Sequence, residues 1–91
     1  MVVSFAPAFL RQIKKLDPPV KTAVRSVVEK FIDFYESGRR TPGLAVKRLR
    51  GEVWEARSGL RTRIVYRLFG GELRFILAGD HAEVRRSLAD C

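Results

Sequence analysis

The sequence predicts an α+β fold: a small antiparallel-type sheet in the order β-α-α-β-β-β-α, with two N-terminal helices packed on one face. Three observations predict it. Residues 61–69 alternate strictly, with Arg61, Arg63, Val65 and Arg67 on one side of an extended strand and Thr62, Ile64, Tyr66 and Leu68 on the other. Gly70-Gly71 follows as a two-residue hairpin signal, and residues 72–78 continue as a strand with Leu73, Phe75 and Leu77 supplying one face. Upstream, Val20, Val24, Val27, Val28, Phe31, Ile32 and Tyr35 recur at spacings of three and four, the period of a helix with one apolar stripe.

The remaining elements follow in order. The apolar run Val2–Phe5 can serve as a first strand. Pro7 suits the first turn of a helix, where its missing N–H is no loss, and Phe9, Ile13 and Leu16 form a stripe with Arg11, Lys14 and Lys15 outside it. Asp17-Pro18 ends that helix and offers a cap and first-turn proline to the next, which runs over 18–37 with Gly38 as its stop. Residues 39–51 read as a basic connection containing Pro42, Gly43 and Gly51, tethered to the core by Leu44, Val46 and Leu49. Residues 53–57 read as a strand with Trp54 and Ala56 opposite Val53, Glu55 and Arg57, and Ser58-Gly59 as a turn. Gly79-Asp80 leads into a short helix over 81–89. The face of the sheet turned away from the two helices would then carry the strand arginines as a flat or concave cationic surface.

With 91 residues, one domain spanning 1–91 is expected. A hydrophobic content of 46% is too high for a disordered chain. No apolar run approaches the roughly 18 residues of a membrane span, so a soluble protein with no membrane partner is expected. The N-terminus has no charged region ahead of an apolar stretch, so no secretory signal is expected. The single cysteine, Cys91, can form neither an internal disulfide nor a cysteine-based zinc site, which fits a reducing cytoplasm. The formal charge is +8, and its distribution is uneven. Residues 39–67 hold nine Lys or Arg against two Glu, a net of +7. That asymmetry points to a polyanionic partner, nucleic acid or an acidic protein segment.

The sequence has no Gly-rich phosphate loop, no metal-binding cluster, no feature calling for a cofactor, and no Ser/His/Asp or Cys/His arrangement. What remains is the arginine face, the basic connection, and the turn Gly79-Asp80-His81. Arginine presents a rigid, permanently charged fork that matches phosphate oxygens two at a time. Several arginines around one phosphate can stabilise the added charge of a pentavalent transition state. His81 is the one side chain whose ordinary pKa suits proton transfer near neutrality. Together these groups can cleave RNA without a metal, through attack of a 2′-hydroxyl on the adjacent phosphate. From residue types alone a bland reading stands beside this one: a solvated basic strand face, a capping role for His81, and core packing for Trp54 and Tyr66 in place of base stacking.

The segments Lys47-Arg48-Leu49-Arg50-Gly51, Val53-Trp54-Glu55-Ala56-Arg57, Arg63-Ile64-Val65-Tyr66 and Gly79-Asp80-His81-Ala82-Glu83-Val84-Arg85-Arg86, in that order and spacing, resemble the RelE/ParE superfamily of bacterial type II toxin–antitoxin systems, on its RelE-like branch. The two preceding helices also sit where that family has them, so the resemblance spans nearly the whole chain. It implies a small sheet with two N-terminal helices on one face. It implies a cytoplasmic toxin neutralised by an acidic antitoxin encoded nearby. For the RelE-like branch it implies a metal-independent endoribonuclease that enters the ribosomal A site and cuts mRNA there, in contact with rRNA. By the same resemblance, Arg63 matches the arginine of the family's Y-R-x-x-Y strand, which steadies the scissile phosphate. Arg57 matches a basic position lining the site, and Lys47, Arg48 and Arg50 match the segment that grips RNA. Arg61 and Arg67 complete the cationic strand face. His81 falls where relatives carry a catalytic arginine or histidine. Arg85 falls where many relatives carry a tyrosine or phenylalanine. Arginine stays protonated and cannot act as a base, so Arg85 can only neutralise phosphate charge, and the proton work falls to His81. Two alternatives stay open: a ParE-like poison that binds a topoisomerase and cuts nothing, and a degenerate member that binds only antitoxin or RNA.

Overall fold

The computed structural model describes residues 2–38, 46–59 and 61–89. The expectations for Arg39, Arg40, Pro42, Gly43, Leu44 and Cys91 fall outside these residues. The element order is β1 (Val2–Phe5), α1 (Pro7–Lys14), α2 (Pro18–Ser37), β2 (Val46–Arg50), β3 (Val53–Ser58), β4 (Thr62–Phe69), β5 (Glu72–Asp80) and α3 (His81–Ala89). The five strands form one sheet in the order β1-β5-β4-β3-β2, with β4 at its centre.

Two features correct the sequence-based order. The stretch read as a connection contains a strand, β2, which pairs antiparallel with β3 as Val46↔Ala56, Lys47↔Glu55 and Arg48↔Trp54. Three of its five residues are cationic and its apolar residues do not alternate, so the strand is specified by the neighbour it pairs with. The sheet is also mixed. The edge strand β1 runs parallel to β5, with Val3 opposite Leu73 and Phe5 opposite Phe75, while β2, β3, β4 and β5 pair antiparallel.

The helix boundaries follow the residues that favour them. Pro18 and Pro19 open α2, and Gly38 closes it in the left-handed region at φ 76°. Asp17 precedes the helix without a side-chain capping bond; of the two amides such a bond can use, the one at Pro19 is missing. Its carbonyl accepts the Lys21 N–H instead, at 2.8 Å. Gly70 and Gly71 both take positive φ (58° and 78°), as a tight hairpin between twisted strands demands.

The main core lies between the sheet and α1 and α2. Phe9, Val24, Val28 and Phe31 pack on Ala56, Ile64, Tyr66, Leu73, Phe75 and Ala78. Tyr66 sits with its ring centroid 5.1 Å from Phe31 and 6.2 Å from Phe75, and Trp54 packs at the margin of the same core. The core reading of Tyr66 and Trp54 is therefore the one realised. β5 carries a bulge. Val65 pairs with Leu77 and Tyr66 with Phe75, leaving Ile76 extra. Above the bulge β1 has ended, and Gln12 of α1 takes the place of a strand: its Oε1 accepts the Ala78 N–H at 2.8 Å.

The other face of the sheet is not an open cationic surface. Val65 and Leu77 form a second, smaller core there with Val84 of α3, flanked by Leu49, Val53, Ile76 and Leu88. The valine that interrupts the arginines of β4 is the footing for α3, so helices lie on both faces. Leu49 tethers the basic segment here, as expected. Val46 does not, being 41% exposed.

Candidate nucleic-acid interface

On the α3 side of the sheet, strand register arranges side chains in rows that cross the strands. One row is Arg57, Arg63 and Gly79; the next is Lys47, Glu55, Val65 and Leu77. Arg63 reaches diagonally between them. Its Nε lies 3.4 Å from Glu55 Oε1, and both side chains are only 12% exposed. Two charges so nearly removed from water are tolerable because they neutralise each other. Arg57 and Lys47 flank Glu55 in a surface cleft and are exposed.

Gly79, opposite Arg63, lets α3 come down close to the sheet. A Cβ at that position would meet Glu83 Oε2 at 3.2 Å. Asp80 then caps α3, its Oδ1 accepting the Glu83 backbone N–H at 2.7 Å. That bond holds the Asp80 carboxyl below the usual carboxylate range, and the charge of Arg86 adds to the effect. A lowered folded-state pKa stabilises above the unfolded value of about 3.9 and is lost as pH falls through the folded value. Asp80→Ala should therefore speed hydrogen exchange at the Glu83 amide at pH 7. The difference from the parent protein should shrink as the pH falls below 4.

His81 is the first residue of α3, two positions after the residue paired with Arg63, and is exposed. Arg85 lies one turn later, beside buried Val84, and is exposed as well. The capping role considered for His81 belongs to Asp80, which leaves the imidazole accessible.

The other cations do not join this group. Arg61 lies in the turn before β4 and lines a cleft against Pro19, Val20 and Ala23 of α2. Arg67, four positions along β4 from Arg63, is paired with Glu72, Nη2 to Oε1 at 3.2 Å. Arg48 points to the opposite face, its guanidinium 5.9 Å from the centroid of the Trp54 ring and its Nε donating to the Gly51 carbonyl at 2.8 Å. Arg50 stands beside Val53 on the α3 side, at the edge of an apolar cleft under α3. The expected single cluster of Arg61, Arg63 and Arg67 is thus divided by Val65 and by two carboxylates.

Glu55 and Glu72 are the residues that sequence reasoning missed. Hairpin geometry carried the signal for Glu72: a two-residue turn at Gly70-Gly71 sets Phe69 against Glu72 and Arg67 against Arg74. Among the described residues there is no group of three His, Cys, Asp or Glu that could hold a metal ion, and no helix long and apolar enough to cross a membrane.

The sequence matches no family model and no curated protein. Solved structures do match the fold. A chain of the DinJ–YafQ complex from E. coli superposes with a TM-score of 0.72 at 16% identity, over 90% of this chain and 94% of that one. A chain of the RelB–RelE antitoxin–toxin complex from Methanococcus jannaschii gives 0.68 at 19% identity, over 94% of each. A chain of a toxin–antitoxin complex from Mycobacterium tuberculosis gives 0.64 at 24% identity, over 88% of this chain and 96% of that one. The two-sided arrangement of helices about a five-stranded mixed sheet is therefore the fold of the RelE- and YafQ-type toxins.

Proposed function

We propose that this chain is the toxin of a toxin–antitoxin system and a metal-independent endoribonuclease that cuts mRNA in the ribosomal A site. The observation that carries the reading is the Arg57–Arg63–Gly79 row, with exposed Arg57 and Lys47 beside largely buried Arg63 and exposed His81 two residues beyond Gly79. In this reading Arg57 and Lys47 draw the phosphate in, and Arg63, in ion pair with Glu55, sets its positive charge beside the phosphate oxygens. The 2′-oxygen attacks phosphorus and the bond to the 5′-oxygen breaks, leaving a cyclic phosphate and a 5′-hydroxyl. The 2′-hydroxyl gives up a proton and the departing 5′-oxygen takes one up; His81 carries one of these two transfers and solvent water the other. Arg85 and the other basic positions, Arg48, Arg50, Arg61 and Arg67, contribute long-range attraction for mRNA and rRNA. The antitoxin would be an acidic segment that folds as it covers these cations, and the site of action would be the cytoplasm.

The test is end-mapping of mRNA on translating ribosomes given the purified protein. Cuts should appear in the A site without added metal. Arg57→Ala should reduce their rate by roughly a hundredfold, the order of effect of removing one group that stabilises transition-state charge. Because Arg57 is exposed, that variant should keep its fold.

One observation favours a second reading, a non-catalytic member that binds only antitoxin or RNA: the guanidinium matched to the scissile phosphate is already engaged by Glu55. Intact mRNA with retained ribosome binding would establish it. Intact mRNA with inhibited DNA gyrase would establish a ParE-like poison.

A further inference from the structure

A second row of side chains crosses the sheet on the α3 side, beyond the footing of that helix. Register places Arg50 against Val53, Val53 against Arg67, Arg67 against Arg74, and Arg74 against Ser4, so the row touches all five strands. At about 4.8 Å between strands it spans roughly 19 Å. It stands four residues along β4 from Arg63, about 13 Å at the rise of an extended strand. The apolar contacts of Val65, Leu77 and Val84 lie between the two.

Two guanidinium groups of this row, those of Arg67 and Arg74, are held in place. Arg67 binds Glu72, Arg74 Nη1 donates to Ser4 Oγ at 3.1 Å, and Ser4 Oγ donates to Glu72 Oε2 at 2.9 Å. The Ser4 hydroxyl, then the Arg67 guanidinium, hold the Glu72 carboxyl below its usual range, so it stays ionised and keeps the network set. Arg67 and Arg74 each use one nitrogen in these bonds, and a guanidinium has five N–H donors. Three arginines against one glutamate leave the row at a net +2.

Beside the row, on the same side of β4, Phe69 is 61% exposed, although a phenylalanine at the end of a hairpin has no structural need to face water. An exposed aromatic ring next to ordered arginines is what an unpaired nucleotide requires: a plane for the base and forks for the phosphates.

We propose that Phe69, Arg67, Arg74 and Arg50 form a binding surface for single-stranded RNA, separate from the Arg57–Arg63–His81 end, in which Phe69 stacks a base and the arginines follow the backbone. The proposal rests on the RNA-directed reading for the choice of polyanion, and on no cleavage step. On a ribosome this surface would hold a stretch of strand away from the scissile phosphate, so that attachment and reaction are handled by different residues.

The experiment is fluorescence anisotropy of a labelled ten-nucleotide single-stranded RNA with the full chain, across a salt series. Phe69→Ala should weaken binding about tenfold, the effect of losing one stacked base, while Phe69→Trp should preserve it. The double variant Arg67→Gln/Arg74→Gln should lower the slope of log K against log salt by about 1.4, two phosphate contacts to a single strand. Phe69→Ala should have the same effect in an Arg57→Ala background. Unchanged affinity in Phe69→Ala, or an unchanged salt slope in the double arginine variant, would overturn the proposal. No ribosome is present, so a protein that fails to cut mRNA can still pass, and one that cuts can still fail.

Discussion

Arg63→Ala is expected to destabilise the protein by roughly 3–5 kcal/mol, the scale for leaving one partner of a buried ion pair alone. Glu55, now only 12% exposed, would lose the guanidinium 3.4 Å away and keep only the solvated cations Arg57 and Lys47 at its flanks. Against a total of about 5–15 kcal/mol for a small domain, that is a large share. Urea unfolding followed by far-UV circular dichroism measures it. The companion variant Arg63→Met/Glu55→Leu should recover most of the loss, because replacing both charges with apolar groups of similar volume removes the burial penalty along with the attraction. The pair of variants also separates two roles. If Arg63 acts on phosphate, the double variant regains stability and not activity. Full activity in the double variant would remove Arg63 from the proposed chemistry. Loss of activity in Arg63→Ala alone would say little, since an unfolded protein is also inactive.

Tyr66→Ala should be comparably damaging, at roughly 3–5 kcal/mol for truncating a buried ring. Tyr66 is fully buried at the centre of β4, with Phe31, Tyr35 and Phe75 around it. Tyr66→Phe keeps the ring and removes the contact between the Tyr66 and Tyr35 hydroxyls, 3.2 Å apart, for about 1 kcal/mol. The same variant carries a pH signature. Burial, and then the hydrogen bond with Tyr35, push the Tyr66 phenol far above its ordinary range. The unfolded chain releases this proton near pH 10 while the folded chain keeps it. Its contribution is therefore whole below pH 10 and declines as pH rises further. The urea midpoint should fall between pH 9 and 11 in the parent protein and fall less in Tyr66→Phe. Parallel curves would show that the phenol ionises without opening the core.

How much of this was legible in the sequence depends on how local each feature is. The helix Pro18–Ser37 was readable from its own period, its prolines and Gly38, and β4 from its alternation. β2 was not, because Val46–Arg50 becomes a strand only by pairing with β3. Nor was the parallel placement of β1, which joins residues about seventy apart in sequence. The candidate site divides the same way. Residue types and order pointed to Arg57, Arg63 and His81. The carboxylates that hold Arg63 and Arg67 come from neighbouring strands and require the register. Val65 was the informative misfit. An apolar residue among arginines needs a cover, and Val84 with Leu88, four apart on α3, provides it.

The free margin of β2 has a practical consequence. Among the described residues that strand has one neighbour, so its outer amides and carbonyls are an invitation to another chain. Exposed Lys47, Arg48 and Arg50 answer it: two copies approaching margin to margin would bring three positive charges each into contact. Such insulation is ionic and works only while counter-ions are sparse. The range of the repulsion shrinks from about 10 Å at 0.1 M salt to about 3 Å at 1 M. Concentrated stocks should stay clear in dilute buffer and cloud when polyphosphate is added below one equivalent, before any unfolding occurs.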